Sequence, residues 1–292
     1  MNAFTIKDLE SLSGIKAHTI RIWEQRYSFL KPQRTETNIR YYTSEELKTL
    51  LNIALLNKYG FKISHIDKMD PNEIADKLIT LTDTRAQQER MVNEMIGFMV
   101  DMHLDKFEDV LNKHILSKGI DRAIQQLIFP FLERIGILWQ TNHINPAQEH
   151  LVTNIIRQKL IAGIEKAAPL FTSTKTILLF LPEGEYHELG LLYIYYMLKN
   201  RGVRVLYLGA SVPLKDVVFL AETKQPYHIY THVTAMSGNA RMEKYLNNLR
   251  ERVPQIPIVV SGQLAQSSTN KTLPGIEFKR SIAEVVDYIS AI

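Results

Sequence analysis

The sequence predicts a multidomain protein of mixed α and α/β class: a small helical head with a β-hairpin wing, a four-helix bundle, and a doubly wound parallel α/β domain. Three observations carry that expectation. At 292 residues the chain is longer than one ordinary domain. Apolar residues recur at helical spacing over roughly residues 70–171. Beyond residue 174 the period changes, and short apolar runs alternate with helical patterns.

The head occupies residues 1–70. Thr5 is an N-cap for a helix over Ile6–Ser13, and Asp8 places negative charge in its first turn. Gly14 breaks that helix, and Ala17–Tyr27 reads as the second. Two helices this far apart across a glycine turn form a helix-turn-helix skeleton. The polar, basic stretch Lys31–Tyr42 carries Asn38 at a turn position and aromatics at its end, which suggests a short β-wing. Ser44, followed by Glu46 and Leu47, opens a third helix that ends near Gly60.

Residues 71–172 form the bundle. Its apolar series are Met91, Met95, Phe98, Met99 and Met102, then Phe107, Val110, Leu111 and Ile115, then Ile124, Leu127, Ile128, Phe131 and Ile135. Gly119 and Pro146 separate helices, and Pro130 falls inside the third series, where it should kink the helix. Four helices of this length make a bundle.

Residues 173–292 form the α/β domain. Strands are expected at Ile177–Leu181, Val203–Leu208, Ile229–His232 and Ile258–Val260. Helices are expected at Leu189–Asn200, Lys215–Glu222, Arg241–Arg252 and Ile282–Ile289. The alternation implies a flavodoxin-like parallel sheet, whose ligand would sit at the carboxyl ends of the strands near the switch in strand order.

Composition narrows the function. The longest apolar runs, such as Thr176–Leu181, stop far short of the ~18–20 residues that span a bilayer. Met1–Thr5 has neither a basic start nor a signal-type apolar core, so a cytoplasmic location without membrane contact is expected. The absence of cysteine excludes disulfides, thiolate-bound zinc and iron–sulfur clusters. Any metal must be held by His or carboxylates, or arrive inside a cofactor. Charge is localised: Gly14–Tyr42 holds six basic residues (Lys16, Arg21, Arg26, Lys31, Arg34, Arg40) against Glu24 and Glu36. Such a patch suits phosphate contact, although charge alone fits a solvated surface equally well.

The second helix presents His18, Thr19, Arg21 and Arg26 as candidate DNA contacts, with Lys16 just before it, and the wing adds Arg34, Arg40 and Tyr41. Trp23 and Tyr41 suit the core better than contact. Ile6–Gly14, Thr19–Tyr27, Pro32-x-Arg34-Thr35 and Asn38-x-Arg40-Tyr41-Tyr42, in this order and spacing, resemble the winged helix-turn-helix of the MerR family. The resemblance covers about seventy residues. It implies sequence-specific binding of double-stranded promoter DNA by a homodimer or higher homo-oligomer. Familiar thiolate sensors of that family have no counterpart here, because there is no cysteine.

The effector must therefore be sought in the later segments. Strand Thr176–Leu181 runs into Pro182-Glu-Gly184 and then Glu185-Tyr-His187-Glu-Leu-Gly190. A histidine just past a strand's carboxyl end is where a nucleotide-like ligand approaches, and Glu185 can bond the far imidazole nitrogen. Taken alone, a loop histidine is more often a surface residue. However, Glu-x-His-x-x-Gly at this point resembles the signature of cobalamin-binding domains, whose histidine ligates cobalt from below. Upstream, Trp139 followed after nine residues by Glu149-His150 is similar to the bundle motif of CarH/LitR-type light-dependent MerR repressors, where it caps the adenosyl face. The resemblance implies adenosylcobalamin as cofactor, with His187 as the cobalt ligand and Trp139, Glu149 and His150 above it.

The later part of that signature is altered. Where the family has Ser-x-(Leu/Thr/Val) and then Gly-Gly, this chain has His232-Val233-Thr234 and Ser261-Gly262. Those small residues normally make room for the displaced benzimidazole tail, and His232 intrudes there. The functional expectation is a non-enzymatic transcription regulator, a repressor controlled by an adenosylcobalamin-type ligand and by light. The alternative is a MerR-like regulator whose last domain no longer takes cobalamin and acts through protein–protein contact.

Overall fold

A computed structural model describes residues 3–140, 144–235, 239–267 and 273–292, with the side chains of 137–140, 239, 240 and 267 outside that description. The chain gathers into two compact units, Met1–Ile156 and Arg157–Ile292.

In the first unit, α1 (Ile6–Ser13) begins at a capping box in which Thr5 Oγ1 accepts from Asp8 N while Asp8 accepts from Thr5 N at 2.7 Å. Gly14 ends it with φ 72°, a left-handed conformation that glycine adopts without a Cβ clash. Helix α2 (Ala17–Arg26) then buries Ile20 and Trp23 against a core that includes Leu9, Leu12, Leu47 and Leu50. Strands β1 (Gln33–Arg34) and β2 (Arg40–Tyr41) pair antiparallel, and Asn38 takes φ 64° in the turn between them. The expected wing is present. One detail differs: Tyr41 is half-exposed, and its neighbour Tyr42 is the buried aromatic, because alternation along β2 turns only one of the pair inward.

Helix α3 (Ser44–Lys58) starts at a second capping box, on Thr43 and Glu46, and is followed by the short α4 (Ile63–Ile66) and α5 (Pro71–Ile79). Next come α6 (Thr84–Val100), α7 (Leu104–Lys118), α8 (Ile120–Ala123), α9 (Phe129–Gln140) and α10 (Pro146–Lys166). Between α8 and α9, Ile124–Ile128 forms a π-helical turn. Pro130 has no N–H and crowds the carbonyl four residues before it, so the disturbance expected at Pro130 is met by a widened turn immediately upstream. The core of this region contains Val92, Met95, Ile96, Met99, Phe107, Leu111, Leu127 and Phe131. Each such side chain contributes about 1.5–3 kcal/mol when fully buried.

Head and bundle share contacts within this unit. Helix α3 packs on α6, and α1 packs on α9. Arg134 on α9 donates to Asn93 Oδ1 at 2.5 Å and to the carbonyl of Leu12 at the end of α1, while Asn93 Nδ2 donates to Leu51 O at 3.2 Å. Lys48 on α3 pairs with Asp101 at 2.6 Å.

The second unit is built on a five-stranded parallel sheet of β3 (Thr176–Pro182), β4 (Arg204–Val212), β5 (His228–His232), β6 (Ile258–Ser261) and β7 (Ile276–Phe278), in the order β4-β3-β5-β6-β7. The interleaved helices are α11 (Leu189–Asn200), α12 (Leu214–Lys224), α13 (Asn239–Arg252), α14 (Gln263–Ser267) and α15 (Ile282–Ser290). Leu178, Phe180, Ile229 and Ile258 face Val217, Leu246 and Leu249 of α12 and α13. Ile177, Leu179, Tyr230 and Val259 face Leu191, Ile194, Val285 and Ile289 of α11 and α15. The sheet is thus wound on both faces, with its switch in strand order between β3 and β5, where a ligand crevice opens at the carboxyl edge. No helix among the described residues is long and apolar enough to cross a membrane.

Candidate functional site

The head presents its candidate contacts outward. His18, Arg21 and Arg26 on α2 are exposed, Thr19 is half-buried with its hydroxyl 3.3 Å from His18 Nε2, and Lys16 lies 3.3 Å from Glu10. On the wing, Arg34 is exposed and donates to Asn38 Oδ1 at 2.5 Å, and Tyr41 donates to Gln33. Arg40 is the exception: its guanidinium sits 3.4 Å from Glu24, which also accepts from the Tyr42 hydroxyl. Glu24 therefore ties the wing to α2, a role its place in a basic segment did not announce.

The second site lies at the switch point. β3 ends at Pro182, and a turn through Gly184, with φ 84°, returns the chain so that Glu185 points into the protein, 1% exposed. Its carboxylate accepts four hydrogen bonds. Oε1 takes them from His187 N at 3.0 Å and His187 Nδ1 at 2.6 Å, and Oε2 from Thr234 N at 2.9 Å and Ala235 N at 2.7 Å. Burial pushes the Glu185 pKa upward, but the bonds from His187, Ala235 and Thr234 together outweigh it and hold the group down to about 2. As Glu185 is a permanent acceptor, His187 Nδ1 must carry the proton, and Nε2 keeps the lone pair that a metal needs. The His187 side chain is 49% exposed, at the mouth of the crevice.

Ser211 supports this turn and was not evident from sequence. It adopts φ 54°, donates its N–H to Glu185 O at 3.0 Å, and its hydroxyl accepts from Gly184 N at 3.1 Å. Deeper in the crevice, His232 at the end of β5 lies between Gly190 and Ser261. Its Nδ1 is 2.8 Å from Ser261 Oγ, and its Nε2 would be 2.3 Å from a Cβ placed on Gly190. Desolvation holds the His232 pKa down to about 4, so the ring is neutral at pH 7. Gly262 has φ 100°, and a Cβ there would meet Val233 O at 2.4 Å. Gly262→Ala is accordingly expected to destabilise the second unit by about 2–4 kcal/mol, read as a lowered urea midpoint.

Seven candidate residues, Glu185, His187, Gly190, His232, Thr234, Ser261 and Gly262, thus gather at one edge of the sheet, Thr234 joining through its backbone. Of the other three, Glu149 is half-buried and His150 exposed on the first turn of α10, both in the first unit. Trp139 lies on α9, and its side chain is outside the described residues. Among the described residues, no cluster of three or more His, Asp or Glu could hold a bare metal ion. A single imidazole backed by a carboxylate suits instead the axial position of a metal that a macrocycle already holds. This donor fits cobalamin; the space around His232 fits its lower tail poorly.

Comparison with known proteins agrees with this architecture. Residues 4–73 match the MerR HTH family regulatory protein model, and residues 91–162 and 175–278 match two B12 binding domain models. The HTH-type transcriptional repressor CarH of Myxococcus xanthus is 29% identical over 272 residues, covering 90% of this chain and 90% of its own length. CarA, an HTH-type transcriptional repressor of the same organism, is 25% identical over 284 residues, covering 96% and 94%. A monomethylamine corrinoid protein from Methanosarcina barkeri shares the fold, with a TM-score of 0.51 at 14% identity over 70% of this chain and all of its own. The chain carries a MerR-type helix-turn-helix followed by a B12-binding helical domain and a B12-binding Rossmann-like domain.

Proposed function

We propose that this chain, a MerR-type head joined to a cobalamin-binding assembly, is a transcriptional repressor that binds promoter DNA as a homodimer or higher homo-oligomer, under the control of an adenosylcobalamin-type ligand and of light. The Glu185–His187 dyad at the switch point is the observation that carries the reading. The division of labour follows the three segments: residues 1–70 would contact DNA, and 71–172 and 173–292 would serve the cofactor. The relatives that span the chain are named as repressors, which favours a regulator over an enzyme and repression over activation.

His187 would hold the cofactor's cobalt through Nε2, while Glu185 fixes the ring's tautomer and direction, and the Thr234 and Ala235 amides keep Glu185 ionised. The resemblance implies that Trp139, Glu149 and His150 would also contact the cofactor. When bound, the cofactor supplies a cobalt–carbon bond that light can break. A ligand shifts DNA binding only through its different affinity for the competent and incompetent states, and a tenfold change requires about 1.4 kcal/mol. On the DNA side, Arg21, Arg26 and Arg34 have exposed guanidinium groups for bases and phosphates, while Arg40 must share its charge with Glu24.

Two measurements test the reading. Protein incubated in the dark with adenosylcobalamin is expected to keep the corrin absorption through gel filtration and to retard DNA fragments enriched by selection on the protein itself, with illumination weakening the retardation. Elution without corrin absorption, indistinguishable from a His187→Ala control, would sink it and leave a head governed by protein contacts. Arg21→Ala is expected to weaken binding about tenfold and, if the contact is to phosphate, to reduce the salt slope by about one. Unchanged affinity across salt concentrations would remove Arg21 from the interface.

A further inference from the structure

We propose that His232 closes the space beneath the cofactor site, so that the protein selects a corrinoid lacking a bulky lower nucleotide base; this inference rests on the cobalamin reading above. Cobalamin carries a nucleotide loop ending in dimethylbenzimidazole on the same face of the corrin as its lower axial ligand. A histidine that takes the axial place displaces the base, and the loop then needs room on the histidine's own side of the ring.

On that side the structure is filled. Helix α11, which begins two residues after His187, packs against β3 and β5. Strand alternation and register place Tyr230 and His232 of β5 on one face with Val259 and Ser261 of β6, under α11. The His232 imidazole crosses the gap that the missing side chain of Gly190 leaves. Its Nε2 lies where only a bare Cα is tolerated, and its Nδ1 is held 2.8 Å from Ser261 Oγ. Beside Ser261 the buried Tyr230 hydroxyl has no partner of regular hydrogen-bond geometry. A benzimidazole entering here must displace the imidazole and break the Ser261 bond. A corrinoid whose side arm ends in a short polar stub needs neither change, and its hydroxyl or amide would find Tyr230 and Ser261 as partners.

The test compares two probes with the same upper ligand, adenosylcobalamin and adenosylcobinamide, titrated in the dark against the full chain and followed by corrin absorption. The wild-type protein is expected to bind adenosylcobinamide about tenfold more tightly. His232→Ser is expected to erase most of that preference by strengthening cobalamin binding, with cobinamide affinity changed by no more than about threefold. In the cob(II) form of the bound cobinamide, nitrogen splitting in the electron paramagnetic resonance spectrum, lost in His187→Ala, separates seating on His187 from loose association. Wild-type affinities that are equal for the two probes or favour adenosylcobalamin, with that splitting in the cobinamide complex, overturn the selectivity and leave the cobalamin reading standing. Failure of both probes to bind overturns the two together. The wild-type comparison decides the matter even if the His232 variant does not fold.

Discussion

Glu185→Ala is expected to destabilise the second unit by about 2–4 kcal/mol and to abolish high-affinity corrinoid binding together. Glu185 is 1% exposed, and three backbone amides and one imidazole nitrogen donate to its two oxygens. Alanine leaves the Thr234 and Ala235 amides without their acceptor, and a buried donor so stranded costs about 1–3 kcal/mol. The same change frees His187 to rotate and to exchange its proton between ring nitrogens, so the lone pair no longer faces a fixed direction. Glu185→Gln separates the two effects. An amide keeps one oxygen but turns an NH2 toward donors on the other side, so half of the bonds survive, and the denaturation midpoint should fall between those of wild type and alanine. Urea unfolding followed by circular dichroism, with corrinoid titration of the same samples, reads both. A midpoint for Glu185→Ala within error of wild type would show that these bonds do not hold the turn.

Arg134→Met carries the second large effect, in the other unit. Arg134 sits on α9 and reaches both Asn93 on α6 and the last carbonyl turn of α1, at Leu12. Desolvation lowers its pKa to about 10, so it stays charged at pH 7 and its hydrogen bonds are charge-assisted. Methionine keeps most of the volume and removes every donor. The Leu12 carbonyl and the Asn93 amide oxygen then lose their partner, with an expected loss of about 2–4 kcal/mol. DNA affinity should fall as well, because Leu12 lies two residues before Gly14, where the chain turns toward α2. Anisotropy of labelled promoter DNA checks this. Full affinity in a destabilised variant would confine Arg134 to stability.

Most of the architecture was legible because it rests on local rules. The Thr5 cap, the Gly14 stop and the change of period at residue 174 each act within a few residues; Ser44 marked the start of α3, although the residue that caps it is Thr43. Strand β7 was not, since only Ile276 of its three residues is buried and a two-sided pattern cannot register in so short a run. The glutamate–histidine spacing exposed one half of the site. The other half is long-range: Glu185 meets Thr234 across 49 residues, and the His232–Ser261 bond depends on the register of β5 against β6. Arg134 reaches Leu12 across 122 residues, which no periodicity encodes. Tyr41 and Tyr42 were indistinguishable by composition, and only the pairing of Phe4 with Tyr42 decides which faces inward.

Glu24 gives the head a property that its separate arginines do not have. By holding Arg40 of β2 from its place on α2, and by accepting from Tyr42 as well, it makes the recognition helix and the wing one mechanical part. Energies measured at the two places should then fail to add: a double-mutant cycle between Glu24 and Arg40 would carry a coupling energy on the order of 0.5–3 kcal/mol. Variants of Glu24 would accordingly change how strongly Arg40 is drawn to a phosphate, although Glu24 itself, being acidic, makes no favourable contact with one.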